Sequence, residues 1–226
     1  MNQSVRFLES ATSPTPYSTQ IKVCGITRVS DALYAAECGV DAVGFIFYPP
    51  SPRNLTCEKA KAIRQQLPES VASVAVVVDP NDTLLNNIVE LVQPDFIQFH
   101  GNESQQRCTQ SGIPFYKAFR VNNSDRVKQS AQKYKNAQAI LLDAYVPDKV
   151  GGTGKTFAWN LVPELQLPVI LAGGLHCGNI ADAIRTVKPH AVDVSTGVES
   201  AAGVKDCIAV RKFVEAVRKT DSGKRL

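Results

Sequence analysis

The sequence predicts an α/β protein folded as a single (β/α)8 TIM barrel. Three observations predict it. Eight short apolar runs alternate with helical or loop segments, which implies parallel pairing with right-handed crossovers. A residue capable of chemistry ends nearly every run, where a doubly wound sheet would gather such residues at one switch point. The chain has 226 residues, close to the roughly 250 of one such barrel.

The elements follow in order. The first strand is Ile21–Cys24, stopped by Gly25, with Thr27 or Ser30 placed to cap the next helix. That helix carries Val29, Leu33 and Ala36 on one face and ends at Gly39. The second strand is Ala42–Phe47, followed by the proline-stiffened loop Tyr48–Asn54 and a helix from about Cys57 to Leu67. The third is Val74–Val78, and Asp79-Pro80-Asn81-Asp82 opens the next helix. The fourth is Phe96–Phe99, before His100-Gly101. The fifth, Phe115–Phe119, ends at Arg120. The sixth, Ala139–Leu142, ends at Asp143, and a long loop runs from Ala144 to Lys155. The seventh is Val169–Ala172, before Gly173-Gly174, and the eighth is Ala191–Val194, before Ser195-Thr196-Gly197. A final helix is expected over Val204–Val217. Residues 1–20 contain Pro14 and Pro16, lack a signal-peptide core and read as an irregular leader. The barrel is expected over 21–220 and a polar tail over 221–226.

The net charge of +4 suits a small anionic substrate better than nucleic acid, since Lys and Arg cluster only in the tail. No apolar run is long enough to span a membrane. The 6 cysteines are scattered without a C-x-x-C pair, so free thiols in a reducing cytoplasm are expected. No cofactor and no metal is expected. The sequence leaves monomer and homodimer open.

Side chains alternate faces along a strand, so Lys22 and Cys24 share one face and Ile21 and Val23 the other. A thiol works as base or nucleophile only when ionised. A lysine and a helix N-terminus nearby would favour the thiolate. Position alone fits a buried structural cysteine equally well. Asp143, after an apolar run, fits either a rim acid of raised pKa or a cap for the following loop. Gly173, Gly174, Ser195 and Thr196 stand where barrels bind phosphate, in the loops after strands seven and eight; tight turns alone would also use these glycines. Arg53 offers a two-point donor for a carboxylate, though a lone loop arginine is usually solvated. Gln98 and His100 share a face and can line a cavity, or cap and pack. Asp193 shares its face with Ser195, and either orients backbone or hydroxyl groups or compensates Lys22 inside the barrel. The run Gly151–Thr156 invites a nucleotide-binding reading, but Lys149 stands where the phosphate-loop pattern needs its first glycine. A mobile loop over the site, or a plain surface loop, remains.

Together these residues resemble the phosphoribosylanthranilate isomerase family, from about Ile21 to Val217. The carrying segments are Lys-Val-Cys-Gly-Ile-Thr (22–27), Asp-Ala-Val-Gly-Phe-Ile-Phe (41–47) with Ser-Pro-Arg (51–53), and Gln-Phe-His-Gly (98–101). They continue with Leu-Leu-Asp-Ala (141–144), Gly-Gly-Thr-Gly-Lys-Thr-Phe (151–157), Leu-Ala-Gly-Gly-Leu (171–175) and Val-Asp-Val-Ser-Thr-Gly-Val-Glu (192–199). The resemblance implies a cofactor-free Amadori rearrangement of a phosphorylated aminosugar bearing an aromatic carboxylate. It implies Cys24 as general base, Asp143 as general acid and Arg53 as the contact for the carboxylate. Thr196 stands where serine is frequent, Ala202 where proline is common and Phe99 where leucine is expected. Two other sugar-phosphate barrels compete. An indole-glycerol-phosphate synthase would need an early-strand lysine motif, and a histidine-pathway isomerase a first-strand aspartate. A non-catalytic phosphate-binding barrel is the alternative from another class.

Overall fold

A computed structural model of the chain describes residues 7–8, 18–144, 156 and 158–223. Eight parallel strands close into a barrel: β1 Gln20–Cys24, β2 Ala42–Phe47, β3 Ala72–Val77, β4 Phe96–Phe99, β5 Phe115–Val121, β6 Ala139–Ala144, β7 Val169–Leu171 and β8 Ala191–Val194. Closure comes from β8 pairing back onto β1, with Lys22 level with Asp193. The helices are α1 Val29–Glu37, α2 Cys57–Arg64, α3 Asp82–Asn87 (continued by a π-helical turn, Ile88–Val92), α4 Gln105–Thr109, α5 Ser124–Ala131, α6 Ile180–Val187 and α7 Cys207–Ser222. Between β6 and β7 the described residues form only the 3₁₀ turn Trp159–Leu161. The glycine-rich run 151–156 lies outside the described residues, Thr156 excepted. Among the described residues no helix is long and apolar enough to cross a membrane.

Period-two alternation divides each strand between two cores. Ile21, Val23, Val43, Phe45, Ala75, Val77, Ile97 and Phe99 face the helices and pack with Ala32, Ala35, Ile63, Ile184 and Phe213. Cys24, Ala42, Val74, Val76, Tyr116, Ala118, Leu141 and Ile170 form the inner core. Lys22 and Cys24 therefore do share the inner face. Side-chain oxygens of Thr56, Asn81, Ser104, Asn123 and Asp206 cap α2, α3, α4, α5 and α7, each satisfying an N–H that the helix itself cannot.

Three local expectations are corrected. Neither Thr27 nor Ser30 caps α1; its N-cap is Arg28, and the Thr27 hydroxyl donates to the Gly203 carbonyl. The buried face of α1 is Asp31, Ala32 and Ala35: the small alanines let the helix sit close to the strands. Val204 does not begin the last helix. It lies in a hairpin, β9 Glu199–Ala201 and β10 Val204–Lys205, turned by Gly203 at φ +77°. The helix starts only after Asp206, whose carboxylate accepts from the Ala209 N–H at 2.9 Å.

The lower mouth of the barrel is apolar. Phe7 and Leu8, from the leader, are buried in the inner core with Ala42, Ala72, Ala139 and Ala191. The Phe7 ring meets Phe96 edge-on at 5.8 Å, and Phe96 meets Tyr116 at 6.4 Å. The Gln20 side chain accepts from the Leu8 N–H at 3.0 Å. Asp221, expected in the tail, belongs to α7 and accepts from both Thr19 N and Thr19 Oγ1 at 2.8 Å.

Candidate active site

The upper mouth collects charge. Cys24 ends β1, and the chain turns at once at Gly25, whose φ of +78° favours glycine. The N–H groups of Gly25 and Ile26 both donate to the Gly44 carbonyl at 3.0 Å. A Cβ on Gly44 would come within 2.9 Å of Cys24 Sγ and 3.1 Å of Lys22 Nζ. Glycine in β2 thus leaves the thiol and the ammonium room side by side. Lys22 is fully buried and donates to both oxygens of Asp193 at 3.0 Å. Burial alone would lower the Lys22 pKa, but Asp193 at 3.0 Å holds it above its ordinary value, so Lys22 stays charged; burial likewise pushes Asp193 up against the pull of Lys22.

Burial pushes the Cys24 thiol above its ordinary value, while Lys22 and Lys205 pull it down and Asp193 adds to the rise. The expectation of a thiolate favoured at rest is therefore corrected: desolvation outweighs the two nearby ammonium groups. A thiol so placed is a stronger base once ionised.

Asp143 stands near the end of β6, level with Arg120 on β5. One carboxylate oxygen accepts from the Ala144 N–H at 2.8 Å, and the other lies 3.4 Å from His100 Nε2. The Gln98 amide lies 2.8 Å from His100 Nδ1. As placed, it donates to that nitrogen and leaves the ring proton on Nε2, facing Asp143. Asp143 raises the pKa of Asp193 through space, after burial and Lys22, so the carboxylates of β6 and β8 look into one cavity.

The loops after β7 and β8 meet. Gly173 and Gly174 both have positive φ, and a Cβ on Gly173 would stand 2.6 Å from the Ala144 nitrogen and 3.1 Å from Asp143 Oδ1. A Cβ on Gly197 would strike the Leu175 carbonyl, so glycine there lets the two loops touch. Ser195 precedes the 3₁₀ turn Thr196–Val198 without a side-chain capping bond, and its Oγ lies over Gly25, where a Cβ would be 3.3 Å away. Asn179 ties the other loop down, donating to the Gly174 carbonyl at 3.0 Å.

The Arg53 side chain crosses Gly25, 2.5 Å from where a Cβ would stand, and is buried. It is not solvated: Nε and Nη2 donate to the two oxygens of Glu199 at 2.8 and 2.6 Å, and those bonds raise its pKa against burial. The structure thus gathers Cys24, Asp143, Gln98, His100, Arg53, Gly173, Gly174, Ser195 and Thr196 at one mouth. Asp193 has both oxygens on Lys22, which favours the counter-ion reading over a ligand contact. Sequence reasoning missed Gly44, Glu199 and Lys205. Lys205 falls inside the helix expected over Val204–Val217, and Glu199 only closes the motif 192–199; Gly203 and Asp206 are the signals of a turn and a cap.

The model of the family described as N-(5'phosphoribosyl)anthranilate (PRA) isomerase matches residues 21–216. The N-(5'-phosphoribosyl)anthranilate isomerase of Pseudomonas putida is 49% identical over 198 residues, covering 87% of this chain and 96% of its own. The crystal structure of the Thermotoga maritima enzyme superposes with a TM-score of 0.80 at 36% identity, over 89% of this chain and 99% of that one. A phosphoribosyl anthranilate isomerase in complex with reduced 1-(o-carboxyphenylamino)-1-deoxyribulose 5-phosphate superposes at 0.77, with 34% identity, over 89% of this chain and 99% of that one. With the barrel, its charged mouth and these relatives together, the chain belongs to the N-(5'-phosphoribosyl)anthranilate isomerase family.

Proposed function

We propose that the chain catalyses the Amadori rearrangement of N-(5'-phosphoribosyl)anthranilate to 1-(2-carboxyphenylamino)-1-deoxyribulose 5-phosphate, a step of tryptophan biosynthesis, with Asp143 as acid and Cys24 as base. The observation that carries this reading is the placement of a buried thiol and a buried carboxyl at the same end of one barrel interior, on β1 and β6.

Asp143 protonates the ribose ring oxygen, and the furanose opens to an iminium. The cation acidifies the proton on the adjacent sugar carbon. Cys24 as thiolate removes that proton, and the resulting enolamine tautomerises to the ketone. One group gives a proton and another takes one, so the two must differ in environment. They do: Cys24 lies between two lysines, while Asp143 faces an imidazole. The glycine-rich loops after β7 and β8 hold the phosphate by backbone N–H groups, with Ser195 and Thr196 as hydroxyl donors. Arg53 holds the aromatic carboxylate. Fixing both ends of the substrate orients its centre between acid and base. Gln98 supports this arrangement by setting the His100 tautomer. The six unpaired cysteines support a reducing compartment, the cytoplasm.

The test follows the fluorescence of phosphoribosylanthranilate as it is consumed by the purified chain. Consumption by wild type and its loss in both Cys24→Ala and Asp143→Asn are expected. Wild-type rates in either variant would remove that residue from its role.

A further inference from the structure

Arg53 does not reach the cavity alone. The hairpin after β8 carries two charged side chains, Glu199 and Lys205, only 5% and 2% exposed. Glu199 takes the Nε and Nη2 edge of Arg53 with both oxygens. A planar guanidinium has a second two-donor edge, formed by Nη1 and Nη2. Among the described residues no hydrogen bond uses Arg53 Nη1, so that outer edge can receive a carboxylate.

Lys205 spends its three donors on the same hub. Its Nζ reaches Glu199 Oε1 at 2.7 Å, the Cys24 carbonyl at 2.6 Å and the Ser195 carbonyl at 3.3 Å. It joins the end of β1, where the thiol sits, to the residue that starts the turn after β8. Its own N–H donates to Asp31 at 2.9 Å, which fastens β10 to α1. One carboxylate against two cations leaves a single positive charge beside the thiol. That charge suits an anionic aromatic group.

We propose that Glu199 and Lys205 are positioning residues for this isomerisation: Glu199 holds Arg53 so that its outer edge takes the aromatic carboxylate, and Lys205 locks the backbone of Cys24 to the turn after β8. The proposal rests on the function given above and adds to it two side chains that need not touch the substrate.

Binding without turnover separates the two readings. The full chain is titrated with reduced 1-(o-carboxyphenylamino)-1-deoxyribulose 5-phosphate and, separately, with inorganic phosphate. For Glu199→Gln the expected result is affinity for the carboxylate-bearing analogue lower by about tenfold or more, with phosphate affinity unchanged. Glu199→Asp, which keeps the charge but shortens the reach, should recover part of the loss, and it carries the comparison if the glutamine variant does not fold. Lys205→Met should lower kcat by roughly tenfold or more while moving KM less, because it displaces the base and leaves Arg53 in place. Analogue binding by Glu199→Gln as tight as wild type, or tighter, would overturn the role by showing that Glu199 is idle or competes with the substrate. A parallel loss of phosphate affinity would overturn it too, because the effect would then be general to the mouth. A wild-type chain that binds phosphate but not the analogue would sink the proposed function itself, and this role with it.

Discussion

The two ends of one barrel are built from opposite chemistry. At the lower mouth Phe7, Phe96 and Tyr116 meet edge-on or tilted and pack with alanines of the inner core. At the upper mouth Cys24, Asp143, His100 and Arg53 stand on ion pairs and backbone carbonyls. Parallel strands explain how one sheet serves both: every strand starts at the floor and ends at the mouth, so position along the strand sorts structure from chemistry. Lys22 and Asp193 sit between, a fully buried pair that would cost several kcal/mol if either partner were removed. The difference teaches that substitutions at the top should change rates and substitutions at the bottom should change stability.

The largest effects test the top. Cys24→Ala and Asp143→Asn should each lower kcat by about 10²–10⁴-fold, the usual worth of a positioned base or acid, with thermal melting little changed. A melting temperature that fell while kcat held would reverse the contrast. Arg53→Ala comes next. It removes a charge-assisted contact worth roughly 1–3 kcal/mol, so KM should rise about tenfold or more, with kcat changed less; steady-state kinetics with the substrate varied would show the split.

A pH profile sharpens the comparison further. The thiol must lose its proton to act, and burial raises its pKa. The base limb of kcat/KM should therefore climb with pH beyond the roughly 8.5 of a free thiol. Lys22 and Lys205 oppose that rise and Asp193 adds to it, so Lys205→Met should move the limb to still higher pH. A limb lying well below 8 would mean that the lysines win and that the resting group is the thiolate.

The smallest effect on rate belongs to the floor. Phe7→Ala should leave kcat within about twofold and lower stability by roughly 1–3 kcal/mol. This is less than a fully buried core phenylalanine, because a docked leader can detach locally. Denaturant unfolding beside the activity assay would check both halves.

How far the sequence could be read follows from the same geometry. Strand cores such as Ala42–Phe47 and Ala191–Val194 were legible because apolar β-formers run between clear breakers. The inward pairing of Lys22 with Cys24 was legible because alternation has a period of two. The hairpin at Glu199–Lys205 was not, because Val204 and Ile208 stand four apart, as on one helix face, until Asp206 is recognised as the cap. The thiol's protonation was not legible either. It depends on burial among β2, β8 and β10, and sequence spacing along β1 carries only the Lys22 half of that balance. The docking of Phe7 lies twelve or more residues ahead of the strand it supports, and no local pattern announces it.

The partition of the six thiols has a practical consequence for chemical probing. Cys177 and Cys207 are exposed, Cys38 is half-buried, Cys57 and Cys108 are buried, and Cys24 is buried at the mouth end of β1. An alkylating reagent will consume the two outer sulfurs first, so overall labelling will run ahead of inactivation. Selective tagging of Cys24 calls for a chain in which Cys177, Cys207 and the half-buried Cys38 have been replaced. A bound anion at the mouth should then slow the reaction at the one thiol that matters.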